Sequence, residues 1–351
     1  MTILHRHYLF QLLRMFALVL STLFGLYILI DYTSRASGLH LSIYDLALYY
    51  VYMFISRLDI LMPFALLIAG INTLCQSNLR QEIMAMRAAG VTFMKLLTPL
   101  VWVGTAATFA IYLSTQFLVP ASMQWISKME DTYSIQNSHG SRQIVHKMVL
   151  ADGSRLLYLY YDRARNQFVK NYWIRSLDDV YRINYLDPDT TPPTGYAVER
   201  LARDDTGALV PVATYADLPL DMKLNPDEVT ETITMPSERS LTQLWSRLPH
   251  SSDNISYEQA QTEAAFYKKL AMPWLCLIAL LAPAPFCVAH RRPLRVFYVF
   301  AGSLFGLFTL FIILSVGYTL TQSQLMSPII AIIAPIMAAT AVASWNYLTL
   351  R

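Results

Sequence analysis

Long uncharged stretches alternate with short charged ones over most of this chain. A helix needs about 20 apolar residues to cross a bilayer core. Met15–Ile30, between Arg14 and Asp31, carries no charge. A second apolar run follows Asp59 and reaches about Gln76, a third lies within the uncharged stretch Leu96–Ser127, and a fourth covers Leu270–Ala289. Val296–Leu350 is also uncharged but too long for one crossing. The polar break Thr321-Gln322-Ser323-Gln324 and Pro328 divide it in two. The pattern predicts six spans. Leu41–Ile55 mixes Asp45 and several tyrosines with apolar residues, and predicts an interfacial helix leading into the second span. Met15–Ile30 is long for the apolar core of a cleaved signal peptide, and no clean small-x-small pair follows it, so a retained span is favoured.

Between spans three and four the period changes. Gln143–Leu150 and Arg155–Tyr161 flank Ala151-Asp152-Gly153-Ser154 as a hairpin, and Phe168–Ser176 is strand-like. Tyr196–Leu201 and Leu209–Tyr215 flank Asp204-Asp205-Thr206-Gly207, and the Pro-rich Asp187–Thr194 predicts a loop. Helical spacing returns around Leu241-Leu244-Trp245-Leu248, and a further helix starting near Ser256 runs into span four. The organisation is therefore spans one to three over 1–128, a β insert with helical exits over 129–255, and spans four to six over 256–351. The three cysteines, Cys75, Cys276 and Cys287, lie in or beside spans, so no disulfide holds the insert.

Charge fixes an orientation. The chain has 351 residues, 55% hydrophobic and 15% charged, against about 25% charged in a soluble domain. Twenty of its 24 acidic residues fall between Met129 and Lys268, leaving the remainder basic. Lys and Arg in short loops mark the cytoplasmic side. Placing both termini inside puts Arg6, Arg14, Arg80, Arg87, Lys95, Arg291, Arg292, Arg295 and Arg351 there. Only Arg35 and Arg57 then fall in short outer loops, and the long acidic insert is translocated. An ordinary cytosolic enzyme is excluded. So is nucleic-acid binding as the main task, because the net charge is only +3 and the bases flank spans.

The sequence offers no catalytic motif: it contains no G-x-x-x-x-G-K-[ST], H-E-x-x-H, G-x-S-x-G or C-x-x-C. No two of the seven histidines share the i, i+4 spacing of a helical metal pair, so no metal site is expected. Asp178-Asp179 and Asp204-Asp205 are expected to be solvated turns.

The segment between spans two and three, residues 77–90, is more informative. Ser77 or Asn78 can cap a helix, Gln81 or Glu82 sits near its first turn, and Gly90 suits its stop. Such a helix places Glu82, Ala85 and Ala89 on one face. Small residues there admit a partner surface. An amphipathic helix resting on lipid, with Arg80 and Arg87 at the headgroups, is the competing reading.

Gln81-Glu82-Ile83-Met84-Ala85-Met86-Arg87-Ala88-Ala89-Gly90 resembles the coupling helix of the lipopolysaccharide-export permeases, the LptF/LptG family. The family pattern is roughly S-E-[ILV]-x-x-M-x-A-[SACG]-G, with Gln81 here replacing the serine. The layout of three spans, a large insert and three spans is also similar to that family. The resemblance implies an α-helical membrane protein of six transmembrane helices with a periplasmic β-jellyroll-like insert, in the bacterial inner membrane. It implies a non-catalytic subunit that pairs with a homologous permease on a dimer of a separate ATPase, which alone binds ATP and Mg. Lipopolysaccharide would pass from the outer leaflet to a periplasmic bridge protein. Glu82 would seat in the ATPase groove, with Ala85, Met86, Arg87, Ala89 and Gly90 shaping the fit. Arg35 would meet lipid A phosphates, and residues of spans one and five would line an acyl cavity. The Asp31–Arg35 region leans toward the LptG type.

Two other functions compete. One is a receptor or sensor whose β insert binds a periplasmic ligand and whose short inner helix contacts a signalling protein; that no large cytoplasmic output domain is expected from this sequence counts against it. A secondary transporter would need ionisable residues near mid-membrane, whereas Asp31, Asp59, Arg35 and Arg57 are predicted near span ends.

Overall fold

A computed structural model describes residues 3–34, 42–90, 92–134, 146–150, 152–162, 165–176, 178–204, 208–222, 224, 236–248, 257–289 and 294–349. Two compact units emerge. One comprises Met1–Gly38, Tyr50–Met123 and Pro236–Arg351, the other Leu39–Tyr49 and Gln124–Met235.

Among the described residues six helices are long and apolar enough to cross a membrane, over Arg6–Ser34, Ile43–Leu79, Leu97–Met129, Gln259–Val288, Val296–Gln322 and Ile329–Tyr347. The first is helix α1 (Ile3–Ser34) and the second is α2 (Ile43–Leu79). At 37 residues, α2 is about 56 Å long. The interfacial helix expected over Leu41–Ile55 is thus no separate element: from Ile43 to Arg57 no glycine or proline interrupts the helical run, and the Ser56 hydroxyl donates to the Met53 carbonyl of the same helix. That arginine, expected in an outer loop, is inside α2, where its Nε donates to the Tyr27 hydroxyl of α1 at 3.1 Å.

After the short α3 (Glu82–Ala88), span three is α4 (Phe93–Leu113) and α5 (Val119–Ser134), joined by a π-helical turn at Ser114–Leu118. Beyond the insert come α6 (Leu241–Trp245) and α7 (Tyr257–Ala271). A full capping box starts α6: Ser240 Oγ accepts from the Gln243 amide and Gln243 Oε1 from the Ser240 amide. Pro273 interrupts span four, which continues as α8 (Trp274–Leu281) and α9 (Ala284–Ala289). Span five is α10 (Leu294–Gln322), and span six is a π-helical turn at Ile329–Ile333 followed by α11 (Ala334–Thr349).

The core of the helical unit is built by Leu66, Ala69 and Ile71 of α2, Leu97 and Ile111 of α4, Leu275, Cys276 and Leu280 of α8, and Leu314 of α10. Close approach depends on glycine. A Cβ on Gly70 would meet Leu280 Cδ2 at 2.7 Å, and one on Gly317 would overlap the Ala331 carbonyl oxygen of span six.

Among the described residues the insert forms a six-stranded antiparallel sheet in sequential order: β1 (His146–Val149), β2 (Arg155–Asp162), β3 (Gln167–Ile174), β4 (Asp179–Asp187), β5 (Thr194–Arg203) and β6 (Leu209–Pro219). The Asp152–Ser154 turn joins β1 and β2. There Asp152 Oδ1 accepts from the Ser154 hydroxyl at 2.6 Å, which holds the carboxyl below its ordinary pKa. Sequence periodicity does not identify β4. Asp179, expected in a solvated turn, opens that strand and pairs with Arg200 of β5 at 2.8 Å. Strand pairing supplies a fixed cationic neighbour that adjacency in sequence does not reveal.

A single row crosses the sheet where pairing lapses. Tyr158 pairs with Asn171 and Tyr160 with Val169, while Leu159 and Lys170 between them do not. The gap continues through Asn184 to Ala197 and Ala216. Lys170 and Ala197 take left-handed backbone, φ 52° and 51°. Asn171 spans the crease, its Nδ2 donating to the Phe168 carbonyl at 2.9 Å. Inward positions lie an odd number of residues apart across the row: Phe168 and Asn171, Ile183 and Leu186, Gly195 and Val198. The crease exchanges the two faces and folds the sheet on itself around Leu156, Phe168, Trp173, Ile183, Leu186 and Val198. A Cβ on Gly195 would sit 2.8 Å from Val198 Cγ2 and 3.1 Å from Ile183 Cγ2.

Candidate functional site

The segment between spans two and three turns abruptly. α2 runs on to Leu79, and the reversal at Arg80–Gln81 is closed by the Gln81 amide donating to the Asn78 carbonyl at 3.0 Å. Gln81 takes φ 59°, which costs a non-glycine residue about 1 kcal/mol. The helix expected over 77–90 is therefore the seven-residue α3. Ser77 and Asn78 do not cap it. Ser77 is buried in the last turn of α2, and Asn78 Nδ2 donates to the Cys287 carbonyl of span four at 2.9 Å. Both positions are still inside α2, so neither stands at the N-terminus of α3. Gly90 ends the segment at φ 83°, the left-handed stop its position suggested.

α3 has an inner and an outer side. Ile83 and Met86, three residues apart, are buried against Tyr8 of α1 and Val288 of α9. Met84, Ala85, Ala88 and Ala89 are exposed. Glu82 lies between the two. Its Oε2 accepts from the Tyr8 hydroxyl at 3.0 Å, and its Oε1 is 4.0 Å from Arg80 Nη1. A further polar contact ties the same end of α1 to α2: Gln11 Nε2 donates to Gln76 Oε1 at 3.1 Å, and Gln76 is itself oriented within α2 by its Nε2 donating to Asn72 Oδ1 at 3.3 Å. Among the sequence-selected residues, Glu82, Ala85, Ala89 and Gly90 are at least partly accessible, while Met86 is turned inward. Arg87 lies in α3, and its side chain is outside the described residues, as is the whole of Arg35.

Tyr8, Gln11, Asn72 and Gln76 were not singled out by sequence. Their signal is polar residues three and four apart in otherwise apolar helices, the spacing of one helix face.

An apolar groove of about 1000 Å³ lies among α8, α9, α10 and α11, lined by Ala282, Phe286, Gly302, Gly306, Leu310 and Ala339. Among the described residues span one contributes nothing to this lining. Instead α1 leaves Leu18, Leu26, Leu29 and Ile30 exposed.

A family model described as "Lipopolysaccharide export system permease LptF/LptG" matches residues 6–349. The chain belongs to the LptF/LptG family. The match takes in all six long apolar helices, α3 and the insert, so this is a multi-pass LptF/LptG permease subunit. No curated protein gave a significant match to the chain.

Proposed function

We propose that this LptF/LptG permease extracts lipopolysaccharide from the outer leaflet of the bacterial inner membrane, paired with a homologous permease on a dimer of a separate ATPase. The ATPase binds ATP and Mg, and α3 is the part of this chain that meets it. Both termini are cytoplasmic and the β insert is periplasmic, where it hands the glycolipid to a bridge protein. Arg35 is the proposed contact for lipid A phosphate, since a cation at the interface suits a phosphate oxyanion.

The observation that carries this reading is the two-sided build of α3. Its outer side is small enough to lie in a partner's groove, and its inner side is fixed to span one through Tyr8 and Glu82. Movement imposed on α3 is thereby handed to a membrane helix.

Glu82→Arg tests it. Co-purification of the ATPase with the tagged chain should fall at least tenfold, with the permease still in the membrane. Undiminished ATPase recovery and undiminished lipopolysaccharide-stimulated hydrolysis would reject α3 as the docking element.

A further inference from the structure

A small pocket with charged and hydroxyl groups among apolar walls sits inside the helical unit, well away from α3. Its volume is about 170 Å³, and its lining includes Ser56, Arg57 and Asp59 of α2, Ser114 and Thr115 of the π-helical turn, and Lys268 and Lys269 of α7. We propose that this pocket binds the phosphate group of a membrane lipid on the insert side of the bilayer.

Its level in the membrane comes first. Asp59 precedes the end of α2 at Leu79 by a rise of roughly 30 Å, one hydrocarbon thickness. Ser114 stands at a similar rise from the start of α4, and Lys268 and Lys269 immediately precede the apolar run of span four. Three walls of the pocket therefore meet where lipid headgroups begin.

Charge comes second. Three cations face one carboxylate in the lining. Glu238 acts on Lys269 from beyond it, and cations still exceed acids. The cations are held by uncharged groups. Lys268 Nζ lies 4.4 Å from the centre of the Tyr318 ring, Lys269 Nζ donates to the Arg239 carbonyl, and Arg57 Nε donates to Tyr27. No lysine or arginine among the described residues makes an ion pair with Asp59. Excess positive charge partly withdrawn from water calls for an anion.

Unused hydrogen-bonding groups come third. Asp59 Oδ1 and Ser114 Oγ are buried without partners among the described residues. Pro63, four residues after Asp59, cannot donate to the Asp59 carbonyl as an ordinary helical residue would. A phosphate oxygen can accept from the Ser114 hydroxyl and the lysine ammonium groups. A protonated phosphomonoester can in addition donate its own O–H to Asp59 Oδ1, which a phosphodiester cannot. The pocket thus favours a monoester, and Asp59 discriminates against diesters by its charge.

The test uses the delipidated full chain, with bound lipid read by native mass spectrometry. The probes are phosphatidic acid, phosphatidylglycerol, diacylglycerol and lipid A. Phosphatidic acid should bind at least tenfold tighter than diacylglycerol, and the Lys268→Gln/Lys269→Gln variant should lose about tenfold or more. Asp59→Asn should strengthen phosphatidylglycerol binding and close the gap between the two phospholipids. That gain cannot come from misfolding, so it decides the matter if the lysine variant folds poorly. Unchanged binding in Asp59→Asn, or phosphatidic acid no tighter than diacylglycerol, would overturn the site. Lipid A exceeding phosphatidic acid would make the transported glycolipid the source of the phosphate; equality would make it a resident phospholipid. The site needs a membrane-spanning chain but not lipopolysaccharide export, so the two readings can fail separately.

Discussion

Tyr8 and Glu82 are 74 positions apart in sequence and joined by one hydrogen bond. The tyrosine is buried, and its ring is fixed by Ile83 and Met86. Tyr8→Phe keeps that packing and deletes only the donor, at a cost of about 1.5–3 kcal/mol for a bond to a charged acceptor. The expected result in the proposed complex is an intact assembly whose ATP hydrolysis continues while lipopolysaccharide release falls several-fold. Equal losses in hydrolysis and release would show that the bond serves docking rather than transmission. None of this was legible from the α3 segment alone. A glutamate at that position advertises a partner surface, and only the return of α1 shows that the chain's own tyrosine already holds one of its oxygens.

At the level of elements, five of the six strands are foreshadowed in the sequence, β5 and β6 by the turn residues Asp204–Gly207 between them, and β4 is not. β1, β2 and β3 stand out by their apolar and aromatic content and by a tight turn. β4 reads Asp-Val-Tyr-Arg-Ile-Asn-Tyr-Leu-Asp, and its buried positions are Val180, Ile183 and Leu186. The step from Ile183 to Leu186 breaks the alternation of a flat strand because the face changes at Asn184, and Val180, three before Ile183, is buried outside the cluster that holds Ile183 and Leu186. A rule of strict alternation fails wherever the backbone turns over mid-strand. Ala197 carries the same turnover in left-handed backbone. Ala197→Val should lower the insert's stability by about 1–2 kcal/mol, since a β-branched residue fits that conformation worst, whereas Ala197→Gly should leave it near neutral. Hydrogen exchange of β4 and β5 in the full chain would read both. Equal behaviour of valine and glycine would remove the conformational explanation.

For the whole molecule, the six apolar helices were the most legible feature, because charge is nearly excluded from them and the gaps between charges match a bilayer. Their full lengths were not. Arg57 and Asp59 suggested a boundary, yet α2 continues through both, since Tyr27 and the small pocket give their side chains somewhere to go. The proposed topology follows from the uneven placement of basic residues and has a direct check. A fluorescent protein fused after Arg351 should fold and fluoresce, and alkaline phosphatase placed within 225–235 should be active. The reverse pattern would invert the orientation and remove α3 from the cytoplasm.

Pro63 gives the long second helix a property that its length alone would not. The stretch from Pro63 to Leu79 is a stiff arm of about 24 Å ending at the turn into α3. Its fulcrum is a proline that leaves one rung of the helix unbonded, beside the carboxylate of Asp59. A rotation of about 10° there swings the far tip by roughly 4 Å, close to the rise of three helical residues. Whatever sits against Asp59 therefore rests on the short side of a lever, and α3 hangs from the long one.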